Sequence, residues 1–352
     1  MPTEASTSTA PTSPTRPSFI DWIGRNPSVT MLGGLIVLAV IFFSAMAPSR
    51  FLSLDTPRAM AFQMPELGIL ALAMMVPLMS GGLNLAIIAT ANLSALVMAA
   101  IITKMIGPTS PPQALFGVIA FALAAGLVTS LIIGLITGVI VAFLGVHPIL
   151  VTLGTMTAVK GIAVYATNGG VIGGFPPPIL FLGNGTLAGV PVPMVFFVLC
   201  AVLVAVVMSH APFGVAVRMI GSNEKATRYS GVATDWMVVG VYILSSLLCW
   251  VAAIVMMARF NSARAGYAES YLLITILAAV LGGIDPNGGF GKVVGLFMSL
   301  ILLQIISTGF TLVGFSPHLT EAIWGATMIL AIAIALVRDR WMARLRSRKS
   351  SK

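Results

Sequence analysis

The chain has 352 residues, of which 58% are hydrophobic and 8% are charged, and it contains 35 glycines. This composition excludes an ordinary soluble domain and is typical of a protein that crosses a membrane many times. The net charge of +9 does not indicate nucleic-acid binding, because seven of the 19 basic residues lie in the tail from Arg338 to Lys352, directly after an apolar run. A basic cluster in that position is typical of the cytoplasmic flank of a membrane segment.

The sequence predicts three regions. Residues 1–28 are predicted to be a disordered cytoplasmic leader, since residues 1–18 are rich in Thr, Ser and Pro and lack the basic end and apolar run of a signal peptide. Residues 29–338 are predicted to form one transmembrane domain, and residues 339–352 a basic cytoplasmic tail. Cys200 and Cys249 each lie inside an apolar run, so we expect buried free thiols.

Apolar runs predict an all-α fold of about ten membrane helices, since one crossing needs about 20 residues. The predicted spans are 29–47, 62–80, 83–103, 114–143, 148–166, 191–209, 236–258, the short run 270–284, 291–310 and 320–337. An even number places both termini on one side of the membrane. With that side cytoplasmic, thirteen basic residues lie inside and five outside, as the positive-inside rule requires.

Two ionisable residues lie inside predicted spans, where charge is costly and usually functional. Glu66 lies near the outer end of the second span, and Lys160 lies about 18 Å along a helix that follows His147. Both fall in the outer half of the membrane, which is compatible with an ion pair or a shared polar cavity. The alternative for Lys160 is that it extends to the interface or pairs simply to be tolerated.

A glycine break, Gly81-Gly82-Leu83-Asn84, separates the second and third spans, and Asn92 and Ser94 follow it. Uncharged hydrogen-bonding groups beside such a break can line a path for a neutral, polyhydroxylated solute. Hydrogen bonding between helices is the alternative. The candidate pathway residues are Gln63, Glu66, Asn84, Asn92, Ser94 and Lys160.

Two other features concern packing. Gly134 and Gly138 form a small-xxx-small pair that predicts close helix contact. The connection 167–190 is uncharged and rich in turn-forming residues, so we expect an ordered outer cap or a re-entrant piece.

The polar segment 221–231 interrupts the oily centre of the chain, since no charged residue occurs from Gly161 to Val217 or from Trp236 to Ala258. Ser222 or Asn223 can cap a helix of about 8 residues, with Glu224 in its first turn and Gly231 at its end. Ala226 and Tyr229 share one face of it. Such a helix either lies on the bilayer surface or docks onto a partner.

Motifs for chemistry are missing from the sequence. The glycine-rich stretch 282–292 is not a phosphate-binding loop, because Pro286 and Val293 occupy positions that require Gly and Ser or Thr. No cluster of nucleophile, base and carboxylate is visible, and the three histidines are not spaced for a metal site. We therefore expect no metal, no cofactor and no enzymatic activity in this chain.

Four motifs in order resemble the membrane permease subunit of bacterial ABC-type importers for simple sugars, the ribose, galactose and autoinducer-2 group. They lie in Ser80–Leu85, Pro148–Gly161, Gly221–Gly231 and Ala278–Gly291, and the resemblance covers nearly all of residues 30–338. The second reads Pro-Ile-Leu-Val-Thr-Leu-Gly-Thr-Met with Lys-Gly after it, and the third begins Gly-Ser-Asn-Glu-Lys-Ala.

The resemblance implies a multi-pass permease of the bacterial inner membrane. It implies a second permease subunit, identical or related, two cytoplasmic ATP-binding cassette subunits and a periplasmic substrate-binding protein. It also makes residues 223–231 a coupling helix seated on the ATPase. The coupling residues would be Asn223, Glu224, Arg228, Tyr229 and Ser230.

This sequence departs from the family pattern at the presumed pathway. Asn84 replaces the family's Asp, and Glu66 adds a carboxylate where the pattern is usually neutral. The expected function is ATP-driven import of a small neutral carbohydrate, either a sugar or a polyol. Two alternatives remain: a proton-coupled secondary transporter that uses Glu66 and Lys160, and a structural membrane component that carries no solute.

Overall fold

The computed structural model describes residues 27–106, 112–316, 318–327 and 329, and most of these are helical. The helices are α1 (Pro27–Met46), α2 (Pro48–Phe51), α3 (Asp55–Met79), α4 (Ile87–Met105), α5 (Pro112–Phe143), α6 (Pro148–Thr167), α7 (Pro177–Asn184), α8 (Val192–His210), α9 (Pro212–Tyr229), α10 (Thr234–Phe260), α11 (Tyr271–Leu281) and α12 (Val293–Val313). The strands are β1 (Ile172–Gly173), β2 (Thr186–Leu187), β3 (Val190–Pro191) and β4 (Ser262–Ala263). β1 pairs with β4 and β2 with β3, both antiparallel.

Eight of the described helices are long and apolar enough to cross a membrane, and each coincides with a predicted span. They are α1, α3, α4, α5, α6, α8, α10 and α12. The short predicted span 270–284 appears as α11, which is about 16 Å long and cannot cross a hydrocarbon core of about 30 Å alone. The last predicted span is helical at 318–327 and otherwise lies largely outside the described residues, as do the leader and the tail. The count of ten and the side of the termini therefore stay predictions.

Two helix boundaries differ from the sequence prediction. α3 begins at Asp55 rather than at residue 62, because a helix can continue past the apolar run once it leaves the hydrocarbon layer. α4 begins at Ile87 rather than at residue 83, because the glycine break, with Gly81 at φ +84°, keeps the chain non-helical through Asn84. Asn84 therefore lies outside α4, the helix that carries Asn92.

The core is organised around α3 and α10, whose central turns are almost completely buried. α10 packs closely against α5 at the predicted small-residue pair. A Cβ built on Gly134 would lie 2.8 Å from Ser246 Cβ, and one on Gly138 would lie 3.0 Å from Val239 Cα. The prediction of close helix contact is confirmed. Cys200 and Cys249 are buried and free, also as predicted.

The connection 167–190 is ordered, as predicted. Its strand β1 pairs with β4, which follows α10, and its helix α7 packs on the end of α10. Ile179 of α7 is buried, and the Asn184 amide donates a hydrogen bond to the carbonyl of Ala258 at 3.2 Å. This connection caps one end of the bundle.

Candidate functional site

A buried carboxylate, Glu66, lies at the meeting point of three elements. Its side chain is 1% exposed, and its Oε1 lies 2.6 Å from Nη1 of Arg259 at the end of α10. The hydroxyl of Tyr271, the first residue of α11, donates to the same oxygen at 2.7 Å. The arginine contact is a close ion pair without the alignment of a hydrogen bond, and Glu66 Oε2 has no hydrogen-bond partner among the described residues.

Lys160 has a different partner. Its Nζ lies 2.7 Å from Oε1 of Glu269, and the two side chains are 46% and 53% exposed. The ion pair between Glu66 and Lys160 that the sequence suggested is therefore not formed. Glu66 instead pairs with Arg259 in the last turn of α10, and Lys160 pairs with Glu269 in the segment that joins α10 to α11.

A small polar cavity of about 90 Å³ lies beside the Glu66 cluster. Gln63 lines it, and its Oε1 accepts a hydrogen bond from Gln304 Nε2 at 3.2 Å. The other lining residues include Arg259, Tyr271, Ser307 and Trp324. At about 30 Å³ for each water molecule, it has room for about three waters or a few hydroxyl groups. The sequence singled out Gln63, which lines the cavity, and Glu66, which lies beside it, but not the lining residues that come from distant helices.

The predicted pathway residues around the glycine break are buried and bonded between elements. Asn84 Nδ2 donates to Ser245 Oγ at 2.9 Å, across to α10. Asn92 Nδ2 donates to the carbonyls of Ala265 and Tyr267 at 3.0 and 2.9 Å. Their side chains support the fold, and a role in the pathway stays a prediction.

Ser94 is equally buried and lies one turn or less from Asn92 on α4. Its hydroxyl donates to the carbonyl of Gly126 on α5 at 2.8 Å. Asn92 and Ser94 thus fasten α4 to the segment after α10 and to α5. This bonding is the alternative that the sequence left open for them.

The helical part of the polar segment forms the last turn and a half of α9, and a kink at Asn223 separates it from the rest of that helix. Asn223 has non-helical backbone angles, φ −164° and ψ 99°, and its Oδ1 accepts a hydrogen bond from the amide of Ala226 at 3.0 Å. The predicted cap is therefore Asn223. The short helix then runs to Tyr229, and Gly231 follows at φ +83°. The predicted start and stop are confirmed, although the helix is shorter than expected.

The charged residues of this segment brace it against α10. Arg228 pairs with Asp235, and its Nε donates to Thr234 Oγ1 at 3.0 Å. Glu224 Oε1 lies 3.6 Å from Arg228 Nη2. Tyr229, by contrast, is 92% exposed. The backbone and ion pairs hold the segment in place while an aromatic ring projects from it.

The open side of α9 carries a groove of about 380 Å³. Its lining includes Arg218, Ser222, Asn223, Ala226 and Ser230. The groove lies near the C-terminal end of α3, whereas Glu66 lies near the middle of that helix. Glu66 is about 20 Å along that helix from Met79, beside which Gly221 packs.

Comparison of the sequence with known proteins finds a matching family and relatives over most of the chain. The sequence family described as "Branched-chain amino acid transport system / permease component" matches residues 57–332. The chain is 30% identical over 335 residues to the Autoinducer 2 import system permease protein LsrD of Yersinia pseudotuberculosis, covering 91% of this chain and 96% of that protein. It is 29% identical over the same lengths to the protein of that name from Yersinia pestis. No solved structure matches the chain.

Proposed function

This chain belongs to the permease-component family of bacterial import systems, and we propose that it is the membrane subunit through which an ATP-driven importer passes a small neutral carbohydrate into the cytoplasm. As a permease component of the inner membrane it is not an enzyme. ATP hydrolysis belongs to separate subunits. The observation that carries the choice of solute is the pairing of charges along the candidate pathway.

Each ionisable residue of the candidate pathway has an opposite charge beside it. Glu66 pairs with Arg259, and Lys160 pairs with Glu269. Because both charges already have partners, neither is free to bind the ammonium or the carboxylate group of an amino acid. Next to the Glu66 pair, the cavity presents amides, a hydroxyl and an indole ring, which suit the hydroxyls and the apolar face of a sugar or polyol. This supports a neutral carbohydrate over an amino acid.

The exposure of Lys160 supports the proposal of a second permease subunit. This residue lies about 18 Å along α6 and is half exposed together with Glu269. Lipid tails do not solvate such a pair, so polar groups at this depth face protein or a water-filled cavity. We propose that this face of α6 is turned to the second permease, identical or related, with the pathway between them.

The polar segment is the proposed contact with the ATPase. It offers exposed Tyr229 and Ala226 beside the groove, while Asn223 caps the helix and Arg228 fixes it to α10. Glu224 and Ser230 border the same surface. A braced segment with one projecting aromatic ring suits docking, since aromatic side chains dominate interface energies. A periplasmic binding protein would deliver the solute at the opposite end.

A proton-coupled transporter finds no support in this geometry. The expected relay joined Glu66 to Lys160, and these residues pair with different partners. Without a shared contact or cavity, no proton path links them among the described residues.

The deciding experiment is uptake into proteoliposomes that contain the assembled importer with its ATPase and binding-protein partners. Radiolabelled ribose, ribitol, autoinducer 2 and leucine are compared with internal ATP, and with a pH gradient alone. We expect ATP-dependent uptake of a neutral polyhydroxylated solute. Uptake of leucine alone would refute the carbohydrate pathway, and uptake on a pH gradient without ATP would refute the ATP-driven class.

A further inference from the structure

Three backbone segments that are distant in sequence meet at the C-terminal end of α3, and each brings a glycine to the contact. They are the glycine break after α3, the turn of α9 just before the kink, and the loop 282–291 between α11 and α12. The contacting residues are Gly81, Gly221, Gly288 and Gly289, hereafter the glycine junction. The sequence shows both glycine-rich stretches but not that they touch.

The contacts are between backbones, with no room for a side chain. The amide of Gly289 donates a hydrogen bond to the carbonyl of Met79 at 2.9 Å. A Cβ on Gly221 would collide with that same carbonyl oxygen and with the amide nitrogen of Gly289. One on Gly288 would lie 2.6 Å from Gly81 N and 2.8 Å from Gly221 Cα. Only glycine permits this approach.

The glycine junction lies between the polar segment and the bundle core, the two regions whose movements transport must couple. Gly221 is the first residue of the polar segment and lies two residues before Asn223, which caps the short helix of that segment. Gly81 is three residues before Asn84, which bonds to Ser245 in the bundle core. A displacement of the polar segment therefore reaches the break after α3 through backbone alone.

We infer that the glycine junction is the rigid link that carries movement of the polar segment to the glycine break and to the loop 282–291. This rests on the proposed coupling to an ATPase. Side chains can absorb a small shift by changing rotamer, whereas backbones in van der Waals contact cannot, and close-packed contacts transmit strain. Its glycines are positioning residues, and none of them contacts the solute.

The test measures movement at the glycine break after α3 and requires no solute. Leu83→Cys, which is half-buried beside the junction, is labelled with a maleimide in the assembled importer, with and without ATP and vanadate. Gly221→Ala and Gly288→Ala are each combined with this probe. The matched controls are Gly34→Ala, a helical glycine with open space, and Gly314→Ala, whose φ of +92° is close to the +95° of Gly288 but which also has open space.

We expect the nucleotide-dependent change in labelling rate to be lost in both junction variants and kept in both controls, with ATPase subunits still bound in all. A change that persists in the junction variants, or that is missing from the unaltered importer, would overturn the inference. Failure of every neutral solute in the uptake assay, with this labelling response intact, would instead refute the proposed solute. Loss of ATPase binding by the unaltered permease would refute the coupling itself.

A measurement that leaves all four glycines in place keeps the inference testable if the alanine variants do not fold. Leu83→Cys, Ser222→Cys and Asn287→Cys, taken in pairs and spin-labelled, report the distances between the glycine break, α9 and the loop 282–291; Ser222 and Asn287 are exposed and Leu83 is half-buried. A rigid link predicts that these distances, measured by electron paramagnetic resonance in the assembled importer, are the same with and without ATP and vanadate. A nucleotide-dependent change in them would show that the three segments move apart and would overturn the inference.

Discussion

Replacing Arg259 with methionine should destabilise the bundle by about 3 kcal/mol, because it leaves the buried Glu66 carboxylate without its cation. Removal of one partner of a buried pair costs about 3–5 kcal/mol. The low end applies here, since the Arg259 side chain keeps 21% exposure and Tyr271 still donates to Glu66. Methionine retains much of the aliphatic bulk that lines the cavity.

The assay is a double-mutant cycle on the purified permease, unfolded by SDS in mixed micelles and followed by tryptophan fluorescence. Glu66→Gln combined with Arg259→Met should cost less than the sum of the single changes by about 1–3 kcal/mol, the range for residues in contact. Glu66→Gln with Lys160→Met should be additive to within about 0.5 kcal/mol. Coupling in the second cycle and additivity in the first would refute the pairing described above.

The remaining predictions concern docking, packing and the pathway. Tyr229→Ala should weaken binding of the ATPase subunits by about 2 kcal/mol, or ~30-fold, as loss of a projecting aromatic contact does, and unchanged affinity in a pull-down titration would contradict the docking surface. Gly134→Val should destabilise the fold by at least about 2 kcal/mol because its side chain meets α10, whereas Gly117→Val on the same helix meets open space and should cost little. Asn84→Asp should lower uptake far more than Asn168→Ala, because aspartate cannot donate to the serine hydroxyl of α10 and buries a charge at a cost of about 3 kcal/mol; equal effects of the two changes would refute this cost.

Hydropathy alone located the eight long membrane helices, because each must satisfy its backbone within one apolar run. Local chemistry was equally informative at the polar segment, where a capping Asn223 and a terminating Gly231 mark the ends of the short helix. The predicted helix boundaries were wrong where a helix begins before or after its apolar run. Polar residues from Asp55 extend α3 beyond the hydrocarbon layer, and the glycine break delays α4 to Ile87.

Pairing between distant residues could not be predicted from one sequence. Glu66 and Arg259 are separated by six of the described helices, and nothing local to either favours Arg259 over Lys160 as the partner. The charges themselves were visible, and the principle that a buried charge needs a partner was sound. The choice depends on how α10 and α11 pack on α3, which is tertiary information. The meeting of the two glycine-rich stretches was hidden for the same reason.

The half-exposed pair of Lys160 and Glu269 affects the stability of the protein in the membrane before it assembles with a partner. A solitary copy presents both charges on a surface that lipid would otherwise cover, at a cost of about 2–3 kcal/mol or more for each unsolvated charge. Copies that lack a partner subunit are then less stable in the bilayer, and we expect membrane proteases to degrade them. The amount of this protein in a cell is accordingly expected to follow the supply of the subunit that covers that face.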